Sequence, residues 1–114
     1  PEVCAQAAQM ALEISGADFL DINMGCPVPK ITGNGEGSAL MLDPKQAAKV
    51  ITAVRRSIQK PLTVKFRKGF DEERCNCVEF ARMAEGAAWT PCVSTGGRGS
   101  RCMQAAAIWK RCFG

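Results

Sequence analysis

Apolar residues recur at helical spacing in three stretches of this chain, which predicts amphipathic helices over residues 2–15, 43–59 and 72–85. Asp43 followed by Pro44 is a typical helix start, because the Asp side chain can cap the first turn and proline suits its first position. The apolar positions that carry the helical spacing are Val3, Ala7, Met10, Ala11 and Ile14 in the first helix, Ala47, Val50, Ile51, Val54 and Ile58 in the second, and Val78, Ala81 and Met83 in the third.

Two short apolar runs lie between these helices and predict buried strands, from Asp18 to Asn23 and from Leu62 to Phe66. Strands that alternate with helices are typical of parallel sheets, since a parallel connection needs a crossover segment. The predicted fold class is therefore α/β with parallel strands. Residues 26–42, rich in Gly and Pro, are predicted to form the loop after the first strand.

The regular pattern ends at Ala87. A third strand is due in residues 88–95, but Pro91 makes this a poor strand candidate. We therefore divide the chain into a domain of residues 1–87 and an irregular tail of residues 88–114.

The basic charge of the chain is confined to its tail. The formal net charge is +4, yet the residues up to Ala87 carry 11 basic and 11 acidic side chains. All of the excess comes from Arg98, Arg101, Lys110 and Arg111. The composition therefore does not predict a generally basic surface of the nucleic-acid-binding kind.

The cysteines and the first helix bear on compartment and metal content. No repeated Cys-x-x-Cys accompanies the seven cysteines and the chain has no histidine, so we expect no metal site; Cys75 and Cys77 are expected on one helix, one of them partly buried. No apolar run is long enough to span a membrane. Glu2 and Glu13, with no preceding basic residue, argue against a signal peptide, so we expect a cytoplasmic protein.

Polar side chains follow the first predicted strand, in the run Asp21-Ile22-Asn23-Met24-Gly25-Cys26-Pro27-Val28-Pro29-Lys30. The carboxyl ends of parallel strands are where α/β barrels place their chemistry. Together with Gly35-Glu36-Gly37-Ser38-Ala39-Leu40, Asp43-Pro44 and Thr63-Val64-Lys65-Phe66-Arg67, this run resembles the active-site signature of the tRNA-dihydrouridine synthases. The resemblance covers residues 1–87.

The resemblance implies a partial (β/α)8 TIM barrel, since a complete barrel needs about 250 residues. It implies FMN-dependent reduction of uridine to 5,6-dihydrouridine in tRNA, with NADPH as reductant and with the intact protein a monomer. Cys26 occupies the position of the general acid, which would protonate C5 of the uracil after hydride reaches C6. An ordinary cysteine, with a pKa of about 8.5, still holds its proton at neutral pH.

Four other residues acquire expected roles from the same resemblance. Asn23 is expected to pair with an edge of the uracil or flavin, and Lys30 to contact the RNA. Lys65 is expected to contact FMN, and Arg67, two residues further along the same strand face, to contact FMN or substrate. From residue type alone, each position has a plainer interpretation: a packed thiol, a turn asparagine, a loop lysine, or cations in salt bridges.

Two other functions stay open on the sequence. One is a flavin-dependent dihydropyrimidine or dihydroorotate oxidoreductase acting on a free base, since such enzymes also place Asn near Cys-Pro. The other is a non-catalytic remnant. The family's first barrel strand, its phosphate-binding strands and its tRNA-binding domain have no counterpart in the chain, so we expect the isolated polypeptide to bind FMN weakly and to be inactive.

The tail has a specific interpretation. Read in a shifted frame, the codons of Trp89 and Thr90 specify an aspartate, and those that follow permit His-Gly-Arg-Thr-Arg. The dihydrouridine synthases carry a similar segment after their next strand. We therefore interpret the tail as frameshifted.

Overall fold

Helices and strands alternate along the chain, as the apolar pattern predicts. The computed structural model describes residues 1–67, 69–71, 73–88 and 92–95. In chain order the elements are α1 (Glu2–Ser15), β1 (Leu20–Met24), α2 (Pro29–Thr32), a 3-10 helix (Gly37–Leu42), α3 (Pro44–Ser57), β2 (Leu62–Arg67), α4 (Cys77–Ala88) and β3 (Cys92–Thr95). The predicted α/β class is confirmed.

The strands form one parallel sheet in the order β1-β2-β3. The register aligns Asn23 of β1 with Lys65 of β2, and Met24 with Phe66. The doubt about a third strand was wrong, because Cys92–Thr95 pairs with β2 over four residues. This strand begins after Pro91, so the proline does not fall within it.

One face of the sheet is covered by α3 and α4, and the core lies between the sheet and these two helices. Leu62, Val64 and Phe66 alternate along β2 toward this side and are at most 2% exposed. The ring of Phe66 meets that of Phe80 on α4, with centroids 5.0 Å apart and planes tilted by 53°. The predicted inner face of the second helix is confirmed, since all five of its expected residues are buried: Ala47, Val50, Ile51, Val54 and Ile58.

The first helix has the predicted bounds but buries a different side. Gly16 ends this helix in the left-handed conformation, with φ of 64°, in which a residue with a side chain would be strained. Ala8 is buried and Leu12 packs against the core, whereas Val3 and Ile14 of the apolar stripe are 76% and 83% exposed. The small side chains let α1 approach α3 closely, so the apolar residues that predict α1 lie on its exposed side.

The region between β1 and α3 is more regular than predicted. Residues 26–42 contain α2 and the 3-10 helix rather than a loop alone. Pro29 occupies the first turn of α2, where its missing N–H costs nothing. The Gly and Pro residues of this region therefore begin and end short helices.

The third predicted helix begins at Cys77 and not at Glu72. Gly69 and Cys75 form an antiparallel bridge just before it, so Cys75 lies outside the helix that carries Cys77. Val78, an expected inner residue, is 52% exposed, while Phe80 and Ala84 fill that side completely. Among the described residues, no helix has the length and apolar character needed to cross a bilayer. The frameshift interpretation applies from Trp89 onward, and of these residues only Cys92–Thr95 lie within the described ranges.

Candidate active site

Three polar side chains share the sheet face opposite the core, near the carboxyl ends of β1 and β2. Asn23 and Lys65 are register partners, and both are exposed. Arg67 follows Lys65 by two residues and is half-buried on the same face. Their strand neighbours Met24 and Phe66 point into the core with no exposed surface. The two sequence segments of the predicted site therefore lie on adjacent strands, as the site requires.

Asn23 turns the chain at the end of β1. Its Oδ1 accepts a hydrogen bond of 2.9 Å from the backbone N–H of Gly25, an arrangement typical of asparagine in turns. Asn23 is therefore a turn asparagine, as its residue type alone suggests. The turn uses only Oδ1, because within the described part of the chain the Nδ2 amide donates to no protein atom. The Nδ2 amide remains able to donate to a ligand carbonyl.

Arg67 reaches from β2 to the turn after β1. Its Nε donates to the carbonyl oxygen of Gly25 at 2.7 Å, a short bond of the charge-assisted kind. Its stem also packs on this turn, since a Cβ built on Gly25 would lie 3.5 Å from Arg67 Cγ. Arg67 therefore holds the peptide group that joins Gly25 to Cys26.

Cys26 is held from its other side by the 3-10 helix. The N–H of Ser38 donates to the Cys26 carbonyl at 2.9 Å, and Ser38 is only 2% exposed. The Cys26 side chain is half-buried and its thiol is free. The carbonyl groups on both sides of the Cys26 Cα are thus hydrogen-bonded, which restricts the directions in which the thiol can point.

Lys30 lies in α2, four residues after Cys26. Its side chain is exposed, and among the described residues its amine forms no hydrogen bond or ion pair. Its backbone carbonyl accepts from Asn34 Nδ2 at 3.3 Å. The structure therefore gathers Asn23, Cys26, Lys65 and Arg67 at one sheet end, but no hydrogen bond joins Lys30 to them.

Sequence reasoning missed the residues that fix Cys26 through their backbones. Gly25 offers a carbonyl and Ser38 an N–H, and residue type gives no signal for either. The one available signal was Gly37, since a glycine in a turn often marks positive φ, and here φ is 59°. No group of three or more potential metal-ligating side chains occurs among the described residues.

Comparison with known proteins decides the family of this site. The model of the dihydrouridine synthase family matches residues 1–110. The chain belongs to the dihydrouridine synthase family.

Several curated relatives in this family are close in sequence. tRNA-dihydrouridine synthase B of Klebsiella pneumoniae is 45% identical over 85 residues, which is 75% of this chain and 26% of the relative. A probable tRNA-dihydrouridine synthase of Rhizobium leguminosarum bv. phaseoli is 47% identical over 81 residues, covering 71% and 25%. One from Synechocystis sp. is 45% identical over 87 residues, covering 76% and 24%. The chain spans about a quarter of the length of these curated relatives.

Proposed function

We propose that this chain forms the cysteine-bearing part of an FMN-dependent tRNA-dihydrouridine synthase, which reduces uridine in tRNA to 5,6-dihydrouridine with NADPH as reductant. The observation that carries the proposal is the alignment of Asn23 with Lys65 beside the strand end that presents Cys26, in a chain of this family. Residues 1–87 would be the domain that contributes to a TIM barrel, with the polar sheet face directed toward its interior.

The donors on this sheet face fit a flavin. Lys65 is exposed. Arg67 forms one hydrogen bond through Nε, and the terminal nitrogens of Arg67 bind no described residue. The Lys65 and Arg67 cations and the Asn23 Nδ2 amide can therefore donate to the carbonyl and phosphate oxygens that FMN carries. FMN, when bound and reduced by NADPH, would supply the hydride that no side chain can donate. Lys65 would stabilise negative charge on the bound flavin ring.

Cys26 is proposed to deliver the proton. Reduction of the uracil C5–C6 bond needs one proton in addition to hydride, and the Cys26 thiol would act as the acid that supplies it. Cys26 is half-buried, and the hydrogen-bonded carbonyls of Gly25 and Cys26 restrain the backbone from which its thiol extends. Proton transfer depends on such alignment, because small misplacements of a reacting group are costly in rate.

The substrate is proposed to approach from the loop side. Lys30 on α2 is exposed and unpaired within the described residues, so its amine can meet a tRNA phosphate. The intact protein is proposed to be a cytoplasmic monomer without a metal. These last properties follow from the family resemblance and the composition.

A chimera tests the proposed function directly. Residues 1–87 of this chain would replace the matched segment of the Klebsiella pneumoniae relative, in cells that lack their own enzyme for the same uridine. We expect dihydrouridine to reappear in tRNA, measured by mass spectrometry of nucleosides, and to fall to background in the Cys26→Ala chimera. A folded, FMN-loaded chimera that makes no dihydrouridine, or a Cys26→Ala chimera of full activity, would contradict the proposal.

A further inference from the structure

Gly37 packs directly against the backbone of Cys26, although eleven positions separate them in sequence. A Cβ built on Gly37 would lie 2.6 Å from the carbonyl oxygen of Cys26 and 3.2 Å from its Cβ. A third contact, at 3.0 Å, would be made with Cγ2 of Ile31. The first of these distances is far inside van der Waals contact, so no side chain fits here without a shift.

The atom in the way cannot yield easily. The Cys26 carbonyl oxygen also accepts the hydrogen bond from Ser38 N–H, and the preceding carbonyl, of Gly25, accepts from Arg67. Movement of the Cys26 peptide away from a new methyl group would therefore stretch or break these bonds. Ile31, by contrast, can rotate, so the contact with its methyl group is not the decisive one.

We propose that Gly37 is a positioning residue for Cys26: the absence of a side chain at residue 37 lets the 3-10 helix close on the cysteine and fix the direction of its thiol. The catalytic meaning of this rests on the proposed function, in which Cys26 is the proton donor. The packing itself is a property of the chain and can be tested without any turnover. The proposal assigns Gly37 a task that differs from general flexibility of a glycine-rich loop.

Gly35 provides a matched control. It also has a left-handed backbone, with φ of 75°, but a Cβ on Gly35 would meet no atom within 4 Å. Gly35→Ala and Gly37→Ala therefore impose the same kind of backbone strain two residues apart. Only the second introduces a collision with Cys26, so the difference between the two variants isolates the contact.

The first measurement is the rate at which iodoacetamide alkylates Cys26 in the full chain, relative to the exposed Cys4, by mass spectrometry of the digested protein. The second is the exchange rate of the Ser38 amide by NMR. In Gly37→Ala we expect Ser38 to exchange about 2- to 10-fold faster, the factor that accompanies loss of one hydrogen bond, and the Cys26-to-Cys4 ratio to change with it. Gly35→Ala should leave both readouts near those of the unmodified chain.

Two results would overturn the proposal. One is equal change in both variants, which would assign the effect to backbone strain alone. The other is an unchanged Cys26 ratio and Ser38 exchange rate in a folded Gly37→Ala protein. Ile31→Ala combined with Gly37→Ala should not restore the original values, because the closest contact is with a backbone oxygen. Restoration by Ile31→Ala would also contradict the assignment.

A measurement on the unmodified chain covers the case in which Gly37→Ala does not fold. Alkylation of Cys26 places a bulky group next to Gly37, so the amide resonances of Gly37 and Ser38 should shift while that of Gly35 stays in place. The Cβ resonance of Cys26 serves as a second spectroscopic signature. If alkylation left the Gly37 and Ser38 resonances unmoved, the two segments would not be in contact and the proposal would fail. Loss of the chimera's activity has no bearing on these readouts, so failure of the proposed function and failure of this inference are distinguishable.

Discussion

Replacing Arg67 with lysine separates its positive charge from its hydrogen bond to the turn that precedes Cys26. In arginine, Nε stands where lysine has a methylene carbon, so Arg67→Lys keeps the charge but removes the donor that binds the Gly25 carbonyl at 2.7 Å. Arg67→Met removes both. If the bond is what matters, the two variants should behave alike in stability and in the reactivity of Cys26.

The magnitude follows from the type of bond and its exposure. Hydrogen bonds that involve a charged group contribute about 1.5–3 kcal/mol, and water can replace part of this one because Arg67 is only half-buried. We therefore expect the free energy of unfolding to fall by about 1–1.5 kcal/mol in either variant. In a domain of this size each kcal/mol lowers Tm by about 4–8 °C.

The assay combines urea denaturation with alkylation of Cys26 relative to Cys4. Arg55→Lys is the control, since Arg55 Nη1 also donates to a backbone carbonyl, that of Lys60 at 3.0 Å, but at the end of α3. It should leave Cys26 alkylation unchanged. If Arg67→Lys kept the original stability and Cys26 reactivity while Arg67→Met lost both, the reasoning would be refuted in favour of charge alone.

Substitutions at three further positions test the fold. Phe80→Ala should lower the free energy of unfolding by about 3–5 kcal/mol in urea denaturation, since the ring is fully buried, and a loss below about 1 kcal/mol would contradict the packing. Asp43→Ala should cost about 1 kcal/mol by removing the cap that accepts from Gln46 N–H at 3.1 Å, while Asp43→Asn should recover most of it. Asp71→Asn should make stability less dependent on pH: the hydrogen bond from Arg74 lowers the pKa of Asp71 from its ordinary 3.8, so the pair stabilises the fold above that pH and is lost as the pH falls through the lowered pKa. A stability difference between unmodified chain and Asp71→Asn that persisted unchanged below the lowered pKa would argue against this pair.

The elements with a single coherent apolar stripe were predictable. In α3 the stripe, the Asp43 cap and Pro44 all agree, and the structure has the expected helix with the expected buried side. In α1 the apolar pattern does not define a single inner side, because the alanines leave two sides that could face the core. Periodicity alone cannot rank a side of small residues against one that includes Met10 and Ile14, and close packing on α3 selects the former.

The end of the sheet was predictable for a different reason. Parallel strands bring their carboxyl ends to one edge, so the segments with Asn23 and Lys65 had to meet if the strands were neighbours. The start of α4 was not predictable, because the bridge between Gly69 and Cys75 joins residues that no periodic pattern connects. The frameshifted tail stays a prediction, which the coding DNA would decide: codons unable to supply the shifted peptide would exclude it.

The polar face of the sheet carries opposite charges toward its two ends. Toward the amino ends of the strands lies the carboxylate of Asp21, which accepts from Thr63 at 2.6 Å, whereas Lys65 and then Arg67 follow toward the carboxyl ends. Successive side chains on one face are about 7 Å apart, less than the screening length of about 8–10 Å at physiological salt. An approaching anion is therefore attracted at one rim and repelled at the other, which selects its orientation before any contact is made.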